Sequence, residues 1–398
     1  MSVNSVIVSG AGPVGLTFAL IVARAGLPVT LLEKRQDVNT QSKASTFHAP
    51  TLDLLASVGV LPQMIDDGAI VEGMQFRGQD DQILARLEFA SLASLTEHPF
   101  RLHYEQTKLS AMLRDLLLKE EGARIEFGCE VASTKETPEG VQVVTRGKGG
   151  ETVYSADIVV GCDGAQSAVR EAAKIGYIEK PYPGMVLRLY AHCDLNKFLP
   201  GLDGITYVFN GDDSVSLLEM NDCWRIVVRV PEDVSESEAV TDEWIAKRLK
   251  HLIPIEEILP YAGDRDVYAA RRRETLKART ERVFLAGDAL HLTNTRGGMN
   301  LNAGLHDAFA LAHAAIESAA NGQLAPLHRA ADERKRITSD LLIPRTDENV
   351  GTGSERVKSI VDIAQSKDKS VDYLAKQAML DMLSGVSLPK HAGALDNG

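Results

Sequence analysis

Three stretches of this chain combine glycine and carboxylate in patterns that suit a nucleotide. The first, Gly10-Ala11-Gly12-Pro13-Val14-Gly15, fits G-x-G-x-x-G. It follows an apolar strand, Val6-Ile7-Val8, and opens a helix expected from about Val14 to Ala25, with Gly26 as its stop. Glycines there permit a tight turn, close approach of a pyrophosphate and close helix-on-strand packing. A second strand, Val29 to Leu32, leads into Glu33 and Lys34; Glu33 stands near the spacing of a ribose-binding carboxylate. This motif alone does not separate FAD from NAD.

The second stretch runs from Asp157 to Arg170, a strand ending in Asp163-Gly164 with Ser167 and Arg170 beyond. In the third, Arg282 to His291, a strand ends in Gly287-Asp288. A carboxylate at a strand end beside a nucleotide crevice can accept hydrogen bonds from sugar hydroxyls. Just after it, Gly297-Gly298-Met299-Asn300-Leu301-Asn302 supplies backbone donors at an expected helix N-terminus, which favours negative charge.

In this order and spacing, the three motifs resemble the FAD-dependent aromatic hydroxylases, the family of para-hydroxybenzoate hydroxylase and phenol hydroxylase. The resemblance covers about Val3 to His313. It implies FAD, with NADH or NADPH as co-substrate, and ring hydroxylation by O2 through a flavin C4a-hydroperoxide. By position it makes Glu33 the adenosine-ribose ligand and Asp288 the ribityl ligand. Gln106 falls near the ribityl or pyrophosphate, and Leu301 with Asn302 along the flavin pyrimidine edge. Asp163, Arg170 and Arg271 match positions tied to flavin or nicotinamide binding. Other readings stay open: a helix cap for Gln106, a turn for Asp163, a solvated ion pair for Arg170 and a solvated face for Arg271-Arg272-Arg273. The chain departs from the family pattern at Asn294-Thr295 (often Pro-Pro), at Asn300 (usually glycine) and at Lys43 (commonly arginine), and lysine lacks arginine's bidentate fork.

On the substrate side the candidates are Arg225, Tyr190, Tyr207 and His48, with Arg188 and Tyr268 as further possibilities; a Tyr or Arg on a half-buried strand is more often a packed edge residue or a surface charge. His291 reads as a structural, hydrogen-bonded histidine. The rival functions are a FAD-dependent reductase, dehydrogenase or halogenase, and a non-catalytic FAD-binding protein. Trp224-Arg225-Ile226-Val227 does not match the halogenase W-x-W-x-I-P pattern.

These residues need a scaffold of two kinds. The βαβ opening predicts a Rossmann-like α/β domain, and the alternation from Met185 to Val230 predicts a mostly antiparallel sheet with one buried face. The crossings between them predict a discontinuous FAD-binding domain (1–71, 99–180 and 271–345) and a substrate-binding sheet domain (72–98 and 181–270). A C-terminal helical segment and tail (346–398) follow, and a long helix is expected to begin near Asn302. At 398 residues, 44% apolar and 25% charged, the chain has ample core material. A net charge of -12 argues against a nucleic-acid surface. The four dispersed cysteines lack metal spacing, and only Val3 to Leu27, broken by Gly10, Gly12, Pro13 and Gly15, could mimic a targeting or membrane segment, so the expectation is a cytoplasmic protein without metal, monomer or homodimer.

Overall fold

Val6–Ser9 is buried at all four positions, as a strand covered on both faces must be. It is the centre of a five-stranded parallel sheet, ordered Val283–Leu285, Ile158–Gly161, Val6–Ser9, Val29–Glu33, Ala123–Phe127. The computed structural model describes residues 3–41, 44–78, 82–349 and 353–386. Helix Pro13–Arg24 packs on this sheet and against a second long helix, Met299–Asn321. Because the strands are parallel, Ser9, Glu33 and Leu285 all stand at one sheet end, and the glycine turn and Gly287-Asp288 follow there. Ligands of such sheets bind outside the carboxyl ends of the strands.

The second sheet has seven strands, ordered Ala262–Tyr268, Met185–Ala191, Trp224–Val230, Asp213–Glu219, Ile205–Asn210, Gly73–Arg77, Ile83–Glu88. Its period-2 pattern divides the side chains cleanly. Leu187, Leu189, Leu217, Trp224, Ile226 and Val228 pack with Trp244, Ile245, Leu249, Ile255 and Ile258 of the helices between residues 242 and 258. The opposite face carries Arg188, Tyr190, Arg225, Arg229 and Tyr207. The register pairs Tyr190 with Arg225 and Arg188 with Val227, and the next strands continue that second row through Ser216 to Tyr207 and Phe76. The expected α/β fold with an antiparallel companion sheet is what the chain adopts.

Several details differ from the sequence expectation. Ile205–Asn210 pairs in parallel with Gly73–Arg77, so the sheet is mixed. Glu130–Glu136, Val141–Gly147 and Gly150–Ala156 form a separate antiparallel meander. The long helix begins at Met299, three residues before Asn302. The C-terminal helices Gly353–Ala364 and Lys367–Gln377 lie on the seven-stranded sheet, where Ile360, Leu374 and Ala378 pack with Met74, Phe76, Ile205 and Phe209.

Candidate functional site

At the first motif, the chain turns so tightly that a Cβ on Gly15 would lie 2.1 Å from the Gly10 carbonyl oxygen. A Cβ on Gly12 would meet nothing within 4 Å. Pro13 starts the helix, and the Gly12 cap offers no side chain to its first N–H groups. A helix terminus left open this way suits a diphosphate. Glu33 is buried under the turn: one carboxylate oxygen accepts from the Ala11 N–H (2.8 Å), the other from the Arg35 N–H (2.9 Å). Lys34 turns outward toward Glu130 at 4.0 Å. Lys43 lies outside the described residues.

Asp163 accepts from the Val169 N–H (3.1 Å) and so anchors the short helix Ala168–Ala172. Its second oxygen is buried without a protein partner, and burial raises its pKa. Arg170 is not solvated, and among the described residues no carboxylate forms an ion pair with it. It is buried, and its guanidinium donates to the carbonyls of Ala289 and Ala165, both at 2.9 Å, clamping the second motif to the third. Arg271 is an exposed partner of Glu179 (2.9 Å). Gln106 is the first residue of helix Gln106–Leu117, its N–H bonded to the Ala44 carbonyl.

The third motif is the most heavily wired. Asp288 accepts from the Asn300 amide (2.7 Å), and the Asn300 carbonyl faces His291 Nδ1 (3.0 Å). His291 Nε2 meets Asp307 (2.9 Å), which also accepts from the Gly287 N–H (3.0 Å) and from Arg334 (2.7 Å). Burial opposes the charged imidazole, but the Asp307 carboxylate outweighs it and His291 is held above its ordinary pKa. Both ring nitrogens can then donate, as the geometry asks. Gly298 has φ +64°, and a Cβ there would also strike Thr46 at 2.9 Å. It caps helix Met299–Asn321 without a side-chain bond, so backbone donors near Asn300 and Leu301 remain for a ligand. The Asn302 side chain is fully used: it donates to the carbonyls of Thr46 (2.9 Å) and Gly298 (2.7 Å) and accepts from the His48 N–H (3.0 Å).

Those features fit FAD: an uncapped helix start with open space at Gly12, an orphaned Asp163 oxygen, and a second uncapped start at Gly298. A model of the FAD binding domain family matches residues 3–342. The chain belongs to that family. This flavoprotein is 27% identical over 352 residues to 6-hydroxy-3-succinoylpyridine 3-monooxygenase of Pseudomonas putida, covering 87% of this chain and 88% of that one. It is 26% identical over 396 residues to para-nitrophenol 4-monooxygenase of a Pseudomonas species, covering 96% of each. The structure of p-nitrophenol 4-monooxygenase from Pseudomonas putida superposes with a TM-score of 0.87 at 24% identity, over 96% of this chain and 99% of that one. Among the described residues of the flavoprotein, no helix is long and apolar enough to cross a membrane.

Of the substrate-side candidates, Arg225 is the most constrained. It is buried, bonds Glu105 and Ser45, and lies 5.0 Å from the Tyr190 ring. Its charge is met by Glu105 rather than left for a ligand. Tyr190 sits between Arg225 and Arg188, whose own charge is met by Asp266. The Tyr268 hydroxyl reaches Thr295 (3.2 Å), within the departure from the family's Pro-Pro. His48 donates through Nε2 to the Gly297 carbonyl (2.9 Å); burial and nearby Arg101 push its pKa well down, so it is neutral. It therefore positions the glycine loop. Tyr207 keeps different company: Arg356 lies 5.8 Å from its ring, and Arg101 and Arg296 are near. Sequence reasoning missed Arg101, Arg296 and Arg356, which come from three remote segments. Only Arg296, directly before Gly297-Gly298, carried a positional signal.

Proposed function

We propose that this protein is an aromatic-ring monooxygenase, hydroxylating a phenol-like or heteroaromatic substrate with NAD(P)H and O2. The observation that carries the reading is the facing of two surfaces. The sheet face bearing Tyr190, Tyr207 and Tyr268 meets the loop of the third motif, through Tyr268 to Thr295 and through Arg296 beside Tyr207. The likeness to the 6-hydroxy-3-succinoylpyridine and para-nitrophenol monooxygenases and the family membership support it.

When bound, FAD supplies electron transfer from NAD(P)H to O2 and activation of one oxygen atom. The chain's residues do the rest. The Gly10–Gly15 turn and Glu33 hold the adenosine half, Asp288 and the Asp163 oxygen the sugar-phosphate run, and the Gly298–Leu301 backbone the pyrimidine edge. Tyr190, held by its two arginines, and Tyr207 line the ring's approach on a half-buried face, which limits the access of water. The cofactor part is assigned to 1–71, 99–180 and 271–345 and the substrate part to 72–98 and 181–270; the helices after 345 complete a wall of the substrate part. The four free thiols fit a reducing compartment, the cytoplasm, with the protein a monomer or homodimer.

The test is turnover under isotopically labelled oxygen gas, with NADH and NADPH compared across phenols and hydroxypyridines. One labelled oxygen in the product is expected. Label arriving only from water, or substrate oxidation without oxygen consumption, would favour a dehydrogenase or reductase instead. Absence of substrate-stimulated NAD(P)H oxidation would leave a binding protein.

A further inference from the structure

Three arginines from distant parts of the chain converge on Tyr207. Arg296 and Arg356 donate to the same carbonyl, that of Asn349, at 3.1 and 2.8 Å, so their guanidinium groups lie side by side. Arg356 also stands 5.8 Å from the Tyr207 ring. Arg101, only 2% exposed, lies within electrostatic reach of Tyr207, and its Nε is buried with no partner. Its guanidinium meets the Gln377 carbonyl at 3.4 Å and the Phe89 ring at 4.9 Å, neither of them an anion. Among the described residues, no carboxylate pairs with Arg101, Arg296 or Arg356. The carboxylates that serve the neighbouring arginines of this face are already engaged, Glu105 with Arg225 and Asp266 with Arg188.

Like charges brought together out of water repel, and a site of this kind is stable only if something offsets the cost. Burial and repulsion from Arg229 and Arg356 push Arg296 down to about 10. Arginine is the residue best matched to a planar oxyanion, which it can grip by two parallel bonds. The site lies on the face already read as the substrate's, next to the Gly297-Gly298 loop. We propose that Arg101, Arg296 and Arg356, grouped around Tyr207, seat the carboxylate of an aromatic acid, so that the substrate is an anionic ring compound rather than a neutral phenol. This rests on the aromatic-monooxygenase reading for the ring, while the anion seat itself stands on the arginine geometry.

The experiment measures binding to the FAD-loaded protein by the change in flavin absorbance, with matched probes: 3- and 4-hydroxybenzoate and 4-hydroxyphenylacetate against their carboxamides. The acids should bind at least about tenfold more tightly than the amides, as for bonds to a charged group. Arg356→Gln and Arg296→Gln should each remove most of that preference with FAD content unchanged, while Arg356→Lys retains part of it and controls for folding. Equal affinity for acids and amides overturns the proposal. So does a preference that survives both glutamine variants, or a failure of every acid to bind. The two readings fail separately. Acids that bind through these arginines without incorporation of labelled oxygen sink the monooxygenase and leave the anion seat. Hydroxylation of neutral phenols without acid preference does the reverse.

Discussion

Asn300 stands where the family usually has glycine, and its amide joins Asp288 to His291. Asn300→Gly would leave the His291 ring N–H without its partner, at a cost of about 1–3 kcal/mol. Urea unfolding of the FAD-saturated variant should show that loss, and an unchanged midpoint would mean that the bridge is idle. Asp288→Ala should weaken FAD by about 1.5–3 kcal/mol if its carboxylate receives ribityl hydroxyls; a folded variant with an unaltered FAD dissociation constant would remove Asp288 from the site. The glycines and the strand-end carboxylates could be singled out as candidates because each sits within a contiguous motif whose spacing is its own signal. Arg170 was legible as a residue of interest but not in its manner of acting. Nothing in sequence says that a guanidinium will turn to two backbone carbonyls, Ala289 and Ala165. The arginines about Tyr207 were illegible for a plainer reason: positions 101, 296 and 356 meet only after the sheets have formed.

The loop-to-helix joint at Gly298 belongs to the scale of elements. Its left-handed backbone and its approach to Thr46 both exclude a side chain. Gly298→Ala is expected to cost about 1–2 kcal/mol from the backbone alone, with displacement of Thr46 in addition. Both the melting temperature and the FAD affinity should fall; a fall in melting temperature alone would separate the joint from cofactor binding. Periodicity located the strands and helices well where one face is buried, as in Trp224–Val230. It placed the long helix three residues late, because Met299 to Leu301 precede the first side chain that staples the helix to the Thr46–His48 segment. The parallel pairing of Ile205–Asn210 with Gly73–Arg77 was out of reach for another reason. Alternation reports which face is buried but not which strand lies alongside.

Across the whole molecule, the buried chain Arg334–Asp307–His291–Asn300–Asp288 ties the cofactor motif to the later helices. Two of its titrating members, Asp307 and His291, set opposite limits. The Asp307 carboxyl is lowered because Arg334 and His291 overcome its burial, so its contribution is present above the ordinary carboxyl pKa and is lost as pH falls through the lowered value. His291 is raised, so its contribution is complete below about 6.5 and is lost as pH climbs through the raised value. Unfolding free energy measured from acid to alkaline pH should decline on the alkaline side, and His291→Gln should flatten that limb. An identical slope in the variant would place the alkaline loss elsewhere. The two-part α/β plan with its antiparallel companion sheet was visible in outline from strand and turn patterns. The packing of the last helices on that sheet was not, since their apolar residues show a face without naming what it covers. That packing has a consequence for how such enzymes diversify. Arg356 rides on a helix held to the sheet by Ile360 and its neighbours, in a stretch of chain that lies beyond all three nucleotide motifs. Recombination that exchanged only the end of the gene would therefore replace the Arg356 side of that face without altering a residue of the three nucleotide motifs, though Met299 would meet new neighbours in place of Met379 and Met382.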